Sequence, residues 1–413
     1  MSIGTGASLH RSISAKYAAL IARKFPSLVV SISADVVAEL REYPRTVTTC
    51  ANAYVRPLVD RYLGRIESAL AARGFRGALW LMHSTAGLIS AEAVRAIEAD
   101  PISLEIMWSR LVTIADEMWA TVIRTAFSLI ISESQDFASE LLDADGESLA
   151  HSPRSMPVFN LSLPRAVKAM LTRFPAHTLV PGDVLITNDP WLCAGHLFDI
   201  VAVTPVFHDG RLVALMGTVG HVNDIGGTKD SLRVRELYEE GIQIPPMKLH
   251  RAGVPNEDLL ALLAENVRNP DQAIGDVNSF VAANAMGAAR LIDFMREYGV
   301  HDLRALAMVV QKRSEQAMRD AIRALPDGEY FAQIHTNPLG EPMRLPTRIT
   351  IAGDAMEIDF AGAPPQADRG GINCTLNYTA SHATYPIKCM LSPTVRSNAG
   401  CYSPRHIATM RRR

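Results

Sequence analysis

Apolar positions recur at helical spacing in some stretches of the chain and cluster at strand length in others, and the order of the two textures divides it. Ile13 to Phe25 has helical periodicity, Ser27 to Ser33 is a β-branched run, and Pro57 to Gly74 is amphipathic, with Tyr62, Ile66 and Leu70 on one face. Ala78 to Met82 then predicts a short buried strand running into the loop His83-Ser-Thr-Ala-Gly87. Helices and strands alternating in this way predict layers around a sheet. From Ile102 the texture changes to a long helix ending near Phe127, with Leu104, Trp108, Leu111, Ile114 and Met118 at helical spacing and Asp100-Pro101 as its start signal.

Between Asp136 and Gly227 the pattern predicts mostly short strands broken by turns. Asp143-Ala-Asp-Gly146 and His208-Asp-Gly210 have hairpin-turn chemistry, and the second would join strands over Ile200 to Phe207 and Leu212 to Val219. Helical spacing returns over Asn256 to Glu265, Asp276 to Tyr298 and Leu303 to Leu325. Two final strands, Arg348 to Ile351 and Met356 to Phe360, flank Gly353-Asp354. There is no internal repeat and no low-complexity tract.

The chain has 413 residues, 48% hydrophobic and 20% charged, which is ample for a buried core and suggests two or three domains. A formal net charge of -2 with both signs scattered offers no basic field for nucleic acid. Apolar runs such as Ile200 to Phe207 fall far short of the roughly 20 residues a membrane span needs. The N-terminus lacks the apolar run of a signal peptide, so a cytoplasmic location is expected. Cys50, Cys193, Cys374, Cys389 and Cys401 include no C-x-x-C pair; they predict neither a disulfide framework nor a zinc knuckle and are expected as small buried hydrophobes.

The chemistry concentrates in one region. Gly182-Asp-Val-Leu-Ile-Thr-Asn-Asp-Pro190 is a strand ending in polar residues, followed by Gly195-His-Leu-Phe-Asp199, and Gly220-His-Val-Asn-Asp-Ile-Gly-Gly227 follows the second strand of the predicted hairpin. Two His-x-x-Asp units at the ends of neighbouring strands can converge on one point. His196, Asp199 and His221 then supply two imidazoles and a carboxylate, a set suited to a divalent metal with open positions for water or substrate. Asp224 or Asp189 would orient an imidazole or handle a proton. The adjacent glycines fit a loop that needs positive φ or close backbone approach. Either unit alone would equally fit a buried histidine satisfied by a nearby carboxylate.

The segment from Asp100 to Cys401 resembles the B-type subunit of the hydantoinase/oxoprolinase family, whose relatives include 5-oxoprolinase, N-methylhydantoinase and the acetone carboxylase alpha subunit. The resemblance is carried by Asp100-Pro-Ile-Ser-Leu-Glu105, Arg124-Thr-Ala-Phe-Ser128, Asp136-Phe-Ala-Ser139, Thr187-Asn-Asp-Pro190, His196-Leu-Phe-Asp199, His221-Val-Asn-Asp-Ile-Gly-Gly227, Glu240-Gly-Ile-Gln-Ile-Pro-Pro246, Asn266-Val-Arg-Asn-Pro270 and Asn398-Ala-Gly-Cys401. It implies manganese held by His196, Asp199 and His221, a ligand set that would also accept zinc or iron. Two departures stand out: Cys193-Ala-Gly195 where the family usually has Gly-Gly-Thr, and Val222 where it often has a second histidine.

Residues from about Ile32 to Val94 resemble instead the A-type subunit, an actin/hexokinase-like ATPase, through Ser31-Ile-Ser-Ala-Asp-Val-Val37, Arg41-Glu-Tyr-Pro-Arg-Thr46 and Leu81-Met-His-Ser-Thr-Ala-Gly-Leu88. The expected fold is therefore mixed α/β. Residues 1–97 would be a fragment of the actin/hexokinase-like α/β domain, with an incomplete nucleotide site, and residues 98–413 a C-terminally truncated B-type α+β domain. The implied activity is ATP-dependent hydrolysis of a cyclic amide such as a lactam, a hydantoin or 5-oxoproline. ATP would be used by a separate A-type subunit in a hetero-oligomer, and the B-type site would direct metal-activated water at the activated carbonyl. The same resemblance also accommodates an ATP-dependent ketone carboxylase, or an inactive structural remnant of a truncated fusion.

Overall fold

The computed structural model describes residues 100–403 apart from 230–232, the strand at 405–408, and scattered residues between 65 and 98. The chain divides into two compact units, Met1–Ser109 and Arg110–Arg413. In the first, β1 (Trp80–Met82) pairs antiparallel with β2 (Leu88–Ser90), Trp80 opposite Ser90. The elements expected over Ile13 to Phe25 and Ser27 to Ser33, most of Pro57 to Gly74, and the loop His83 to Gly87 lie outside the described residues. Helix α1 (Pro101–Thr125) runs across the division and opens on Asp100, whose carboxylate accepts from the backbone N–H and hydroxyl of Ser103 at 3.1 and 2.7 Å.

After the short α2 (Leu129–Ser132), the second unit lays down β3 (Phe137–Asp143), β4 (Ser148–His151), α3 (Phe159–Arg173) and β5 (Val184–Thr187). The hairpin β6 (Asp199–His208) and β7 (Arg211–His221) follows, then β8 (Met247–Arg251), β9 (Val254–Pro255), α4 (Glu257–Asn266), α5 (Pro270–Glu297) and α6 (Arg304–Arg323). A second sheet comprises β10 (Gly328–Thr336), β11 (Met343–Ala352), β12 (Ala355–Asp359) and, after α7 (Leu376–Leu391), β13 (Arg405–Ala408). The larger sheet has the order β4-β3-β7-β6-β5-β8-β9, and its pairings are antiparallel. The smaller has the order β10-β11-β12-β13, and only its last pair is parallel.

Both faces of the larger sheet are covered. Val201 and Val203 of β6 pack with Leu163 and Val167 of α3, whereas Ile200 joins Leu259 and Leu263 of α4 and Val277 of α5. That is why β6 is a near-continuous apolar run and not an alternation. The hairpin turns at Asp143 to Gly146 and His208 to Gly210 form as the sequence predicts, and Gly146, Asp209 and Gly210 take positive φ. Helix α5 starts six residues ahead of the predicted Asp276, because the Asn269 side chain accepts from Gln272 N–H at 3.4 Å and Pro270 occupies the first turn. Helices α3 and α7 and strand β10 were not predicted. Among the described residues, no helix is long and apolar enough to cross a membrane.

Candidate metal centre

Strand register builds the site. Asp199 is the first residue of β6 and His221 the last of β7, and the two are direct cross-strand partners at the open end of the hairpin. His196 stands three residues before Asp199 on the loop that enters β6. The three side chains meet: His196 Nε2 lies 2.8 Å from Asp199 Oδ2, His221 Nδ1 lies 3.3 Å from Asp199 Oδ1, and the imidazole centroids are 4.8 Å apart. One ligand atom from each falls within 4.8 Å of the others. Phe198 stacks on the His221 ring at 5.1 Å and 4°, fixing its plane.

The electrostatics favour a cation. Burial pushes the Asp199 carboxyl up, but the side-chain contact with His196 and the charge of His196 and His221 outweigh it and hold the group below the usual carboxylate range. Burial pulls His196 down; the bond and charge of Asp199, with smaller contributions from Glu240 and Asp136, reverse this and leave its imidazole above the ordinary value. Asp136 is raised, first by burial and then by the neighbouring charge of Asp199. Asp199 Oδ1 is buried and has no hydrogen-bond partner among the described residues, although His221 Nδ1 is near. A buried carboxylate oxygen left in that state is costly, and the charge of Asp199 raises the neighbouring Asp136, so a positive charge beside the pair would relieve both. The donor set of two imidazoles and a carboxylate therefore fits a divalent ion.

The remaining predicted residues hold the loops. Asp189 is half-buried, and its Oδ1 accepts from Trp191 N–H at 2.9 Å in an Asx turn that begins the loop to His196. Asp224 is buried, with Oδ1 accepting from Gly226 N–H at 3.1 Å and from the Arg268 guanidinium at 2.8 Å, and Oδ2 from Arg268 N–H at 2.6 Å. Both carboxylates are thus engaged with backbone or arginine and not with an imidazole. Asn188, between Thr187 and Asp189, ties the site loop to the following segment: its amide donates to Leu197 and Ile242 carbonyls at 2.7 and 2.9 Å and accepts from Ile244 N–H at 2.6 Å. Val222, at the departure from the family pattern, is fully buried in the apolar core with Ile200 and Ile225 and leaves the ligand trio intact.

Four residues near the site were not singled out by the sequence: Asp136, Glu240, Asn377 and Tyr378. Asp136 Oδ2 lies 3.9 Å from His221 Nδ1, and the Asp136 carbonyl accepts from His221 N–H at 3.0 Å. The motifs Asp136-Phe-Ala-Ser139 and Glu240-Gly-Ile-Gln-Ile-Pro-Pro246 both carry the family resemblance, and those were the available signals. Glu240 Oε2 accepts from Leu197 N–H at 3.0 Å. Its segment reaches the loop only because Gly227 and Gly241 are glycines: a Cβ on Gly227 would meet the Glu239 carbonyl at 2.3 Å, and one on Gly241, at φ +138, the Ile225 carbonyl at 2.1 Å. From α7, Tyr378 packs its ring over Gly195, where a Cβ would lie 3.3 Å from the ring, and Asn377 donates to the carbonyls of Pro190, at 3.2 Å, and Cys193. Among the cysteines, Cys193 and Cys401 are buried as expected, whereas Cys374 and Cys389 are exposed. Burial pushes the Cys193 thiol up to about 12, which makes it inert.

A His-Asp-His group at the rim of an antiparallel sheet, carried on glycine-bearing loops, defines the class of candidate: a protein whose side chains are suited to a metal ion. The chain belongs to the hydantoinase B/oxoprolinase family, whose model matches residues 100–412. A short stretch, residues 45–105, matches the hydantoinase/oxoprolinase (hydantoinase A) model. The 5-oxoprolinase of Dictyostelium discoideum is 28% identical over 316 residues, covering 74% of this chain and 25% of its own length. The ATP-dependent caprolactamase from Pseudomonas jessenii superposes with a TM-score of 0.68 at 28% identity, over 75% of this chain and 54% of that one. The nucleotide-free acetone carboxylase superposes with a TM-score of 0.69 at 21% identity, over 76% of this chain and 44% of that one, a likeness of fold. This chain spans about half the length of the first curated relatives it matches.

Proposed function

We propose that this chain carries the metal-assisted hydrolytic site of an ATP-dependent cyclic-amide hydrolase, working with a separate A-type ATPase subunit on a substrate of the lactam, hydantoin or 5-oxoproline class. The observation that carries the reading is the convergence of His196 and His221 on a buried Asp199 whose Oδ1 has no hydrogen-bond partner among the described residues. The family and the amide-hydrolysing names of relatives support it.

A cyclic amide resists water because nitrogen donation stabilises its carbonyl, and transfer of a phosphoryl group from ATP to the carbonyl oxygen would remove that protection. A divalent ion bound here supplies Lewis acidity to a carbonyl and to water near neutral pH. His196, His221 and Asp199 would hold it; manganese is the family expectation, and zinc or iron suit the same donors. Asp136, with its raised carboxyl beside His221, takes up or releases a proton at Oδ2. Asp189 and Asp224 act by fixing the loops that present the ligands.

Elemental analysis of the purified chain and of His196→Ala and His221→Ala, with folding checked by circular dichroism, tests the site. One stoichiometric ion in the parent and none in either variant is expected; no ion in the parent, or an ion retained in either variant, removes the assignment. Hydrolysis of 5-oxoproline or hydantoin with an A-type subunit and ATP, abolished by a chelator, tests the reaction.

A further inference from the structure

Strand β10 has an unusual position. Among the described residues it is an edge strand of the smaller sheet, and all nine of its residues, Gly328–Thr336, are exposed. The exposed side chains include Tyr330, Phe331 and Ile334, at 44%, 68% and 62%. Its inner neighbour β11 is partly covered: Ile351, with Met356 and Ile358 of β12, packs against Ile322 of α6 and Ile387 of α7. Strand β10 projects beyond that cluster.

An edge strand offers a row of unpaired N–H and C=O groups, and isolated proteins blunt such edges with lysine, proline, a bulge or short length. Strand β10 has none of these. It contains no lysine, arginine or proline, and it pairs with β11 in unbroken register from Gly328↔Ile351 to Thr336↔Met343. A bare, regular edge bearing three large apolar side chains is suited to strand addition by a partner.

The sequence of the strand indicates which partner. Laid antiparallel against its own copy about a two-fold axis at Ala332, it places Tyr330 opposite Ile334 on one face, and Phe331 opposite Gln333 and Glu329 opposite His335 on the other, each pair occurring twice. Tyr330 thus meets the apolar Ile334, Phe331 lies across the stem of Gln333, the acid meets an imidazole, and no like charges are opposed. Parallel in-register pairing would instead set Glu329 beside Glu329. We infer that β10 is a homotypic docking edge, through which two copies of this chain pair antiparallel about Ala332 and join their four-stranded sheets into one of eight strands. The contact is isologous and closes on itself, so it covers both edges at once and does not propagate. It is independent of the metal site and of the proposed reaction.

Sedimentation equilibrium of the full chain over a range of concentrations should show a monomer–dimer equilibrium. Ile334→Lys should shift it to monomer with an unchanged circular dichroism spectrum. Glu329→Lys, which removes two favourable pairs per dimer and opposes lysine to the imidazole, should weaken association by about tenfold, at roughly 0.2–1 kcal/mol per cross-strand pair. Glu329→Lys combined with His335→Glu should restore it. Under mild oxidation Ala332→Cys should form an interchain disulfide beyond the level of the parent chain, because the residue faces its own copy within disulfide reach. Thr336→Cys should not, since eight residues at about 3.3 Å each put it about 26 Å from its copy. A parent chain that stays monomeric, a dimer indifferent to Ile334→Lys and Glu329→Lys, or crosslinking at Thr336→Cys in place of Ala332→Cys would overturn the inference. So would a β10 contact that forms only when an A-type subunit is added.

Discussion

Replacing Glu140 by glutamine should remove most of the pH dependence of stability that arises at one well-defined place in the larger sheet. Glu140 of β3 is fully buried; Oε1 accepts from the Ser148 hydroxyl, and Oε2 has no partner among the described residues. Burial raises its carboxyl from the ordinary 4.5 to about 8, with the Ser148 bond only partly opposing the rise. The unfolded chain therefore gives up this proton first. Stability falls as pH climbs from about 4.5 to about 8 and is level beyond. At about 1.4 kcal/mol per tenfold change in proton affinity, the gap between 4.5 and about 8 caps the loss at about 5 kcal/mol. Glutamine cannot ionise, but it buries an amide N–H group where Oε2 had no partner, at a cost of about 1–3 kcal/mol at any pH. Urea denaturation of parent and Glu140→Gln from pH 5 to 9 should give curves that cross, the variant being weaker at pH 5 and stronger at pH 8.5. Asp143, raised to about 7 by burial, leaves a smaller slope of the same sign in the variant. Parallel curves, or a variant weaker throughout, would refute the reasoning.

Other outcomes follow from the same geometry. Gly220→Ala, whose Cβ would meet Phe280 at 2.6 Å and Ile131 at 2.9 Å, should cost about 1–3 kcal/mol by denaturant titration and weaken ion binding through the neighbouring His221. Asn377→Ala should free the Pro190 and Cys193 carbonyls and loosen the loop leading to His196, reducing ion affinity about 10- to 100-fold by competition with a chelating dye. An ion that binds only the folded chain adds about 2.7 kcal/mol at one hundred times its dissociation constant. The thermal midpoint of the parent should therefore climb with added manganese or zinc, whereas that of Asp199→Asn should stay flat.

The hairpin that carries the site was readable because its turn chemistry and apolar run agree: His208-Asp-Gly210 supplies the positive φ at Asp209 and Gly210, and beyond the turn the strands are buried from Val213 to Gly220 and, apart from Thr204, from Asp199 to Val206. The ligand trio was readable because two ligands sit at matching ends of adjacent strands. Helices α3 and α7 were hidden by Pro164 and Pro386, each inside a helix, and α7 also by its polar inner face, where Asn377, Ser381, Thr384 and Lys388 are buried. Strand β10 escaped because an edge exposed on both faces has no pressure toward alternation. Asp136 and Glu240 each open a stretch that carries the family resemblance, but their role at the site was not legible. Their approach to the site depends on the pairing of β3 with β7 and on a close backbone crossing at Gly227 and Gly241, and neither is encoded in local pattern.

The cross-strand pairing of Asp199 with His221 ties chemistry to alignment. The turn of that hairpin lies at the far end, nine residues from Asp199, so zippering that starts there brings the ligands together last. A slip of a single residue anywhere along the ribbon would carry one of them to the opposite side of the sheet. Ion capture by this chain should consequently report completed, correctly aligned folding, and partly zipped molecules should be blind to metal.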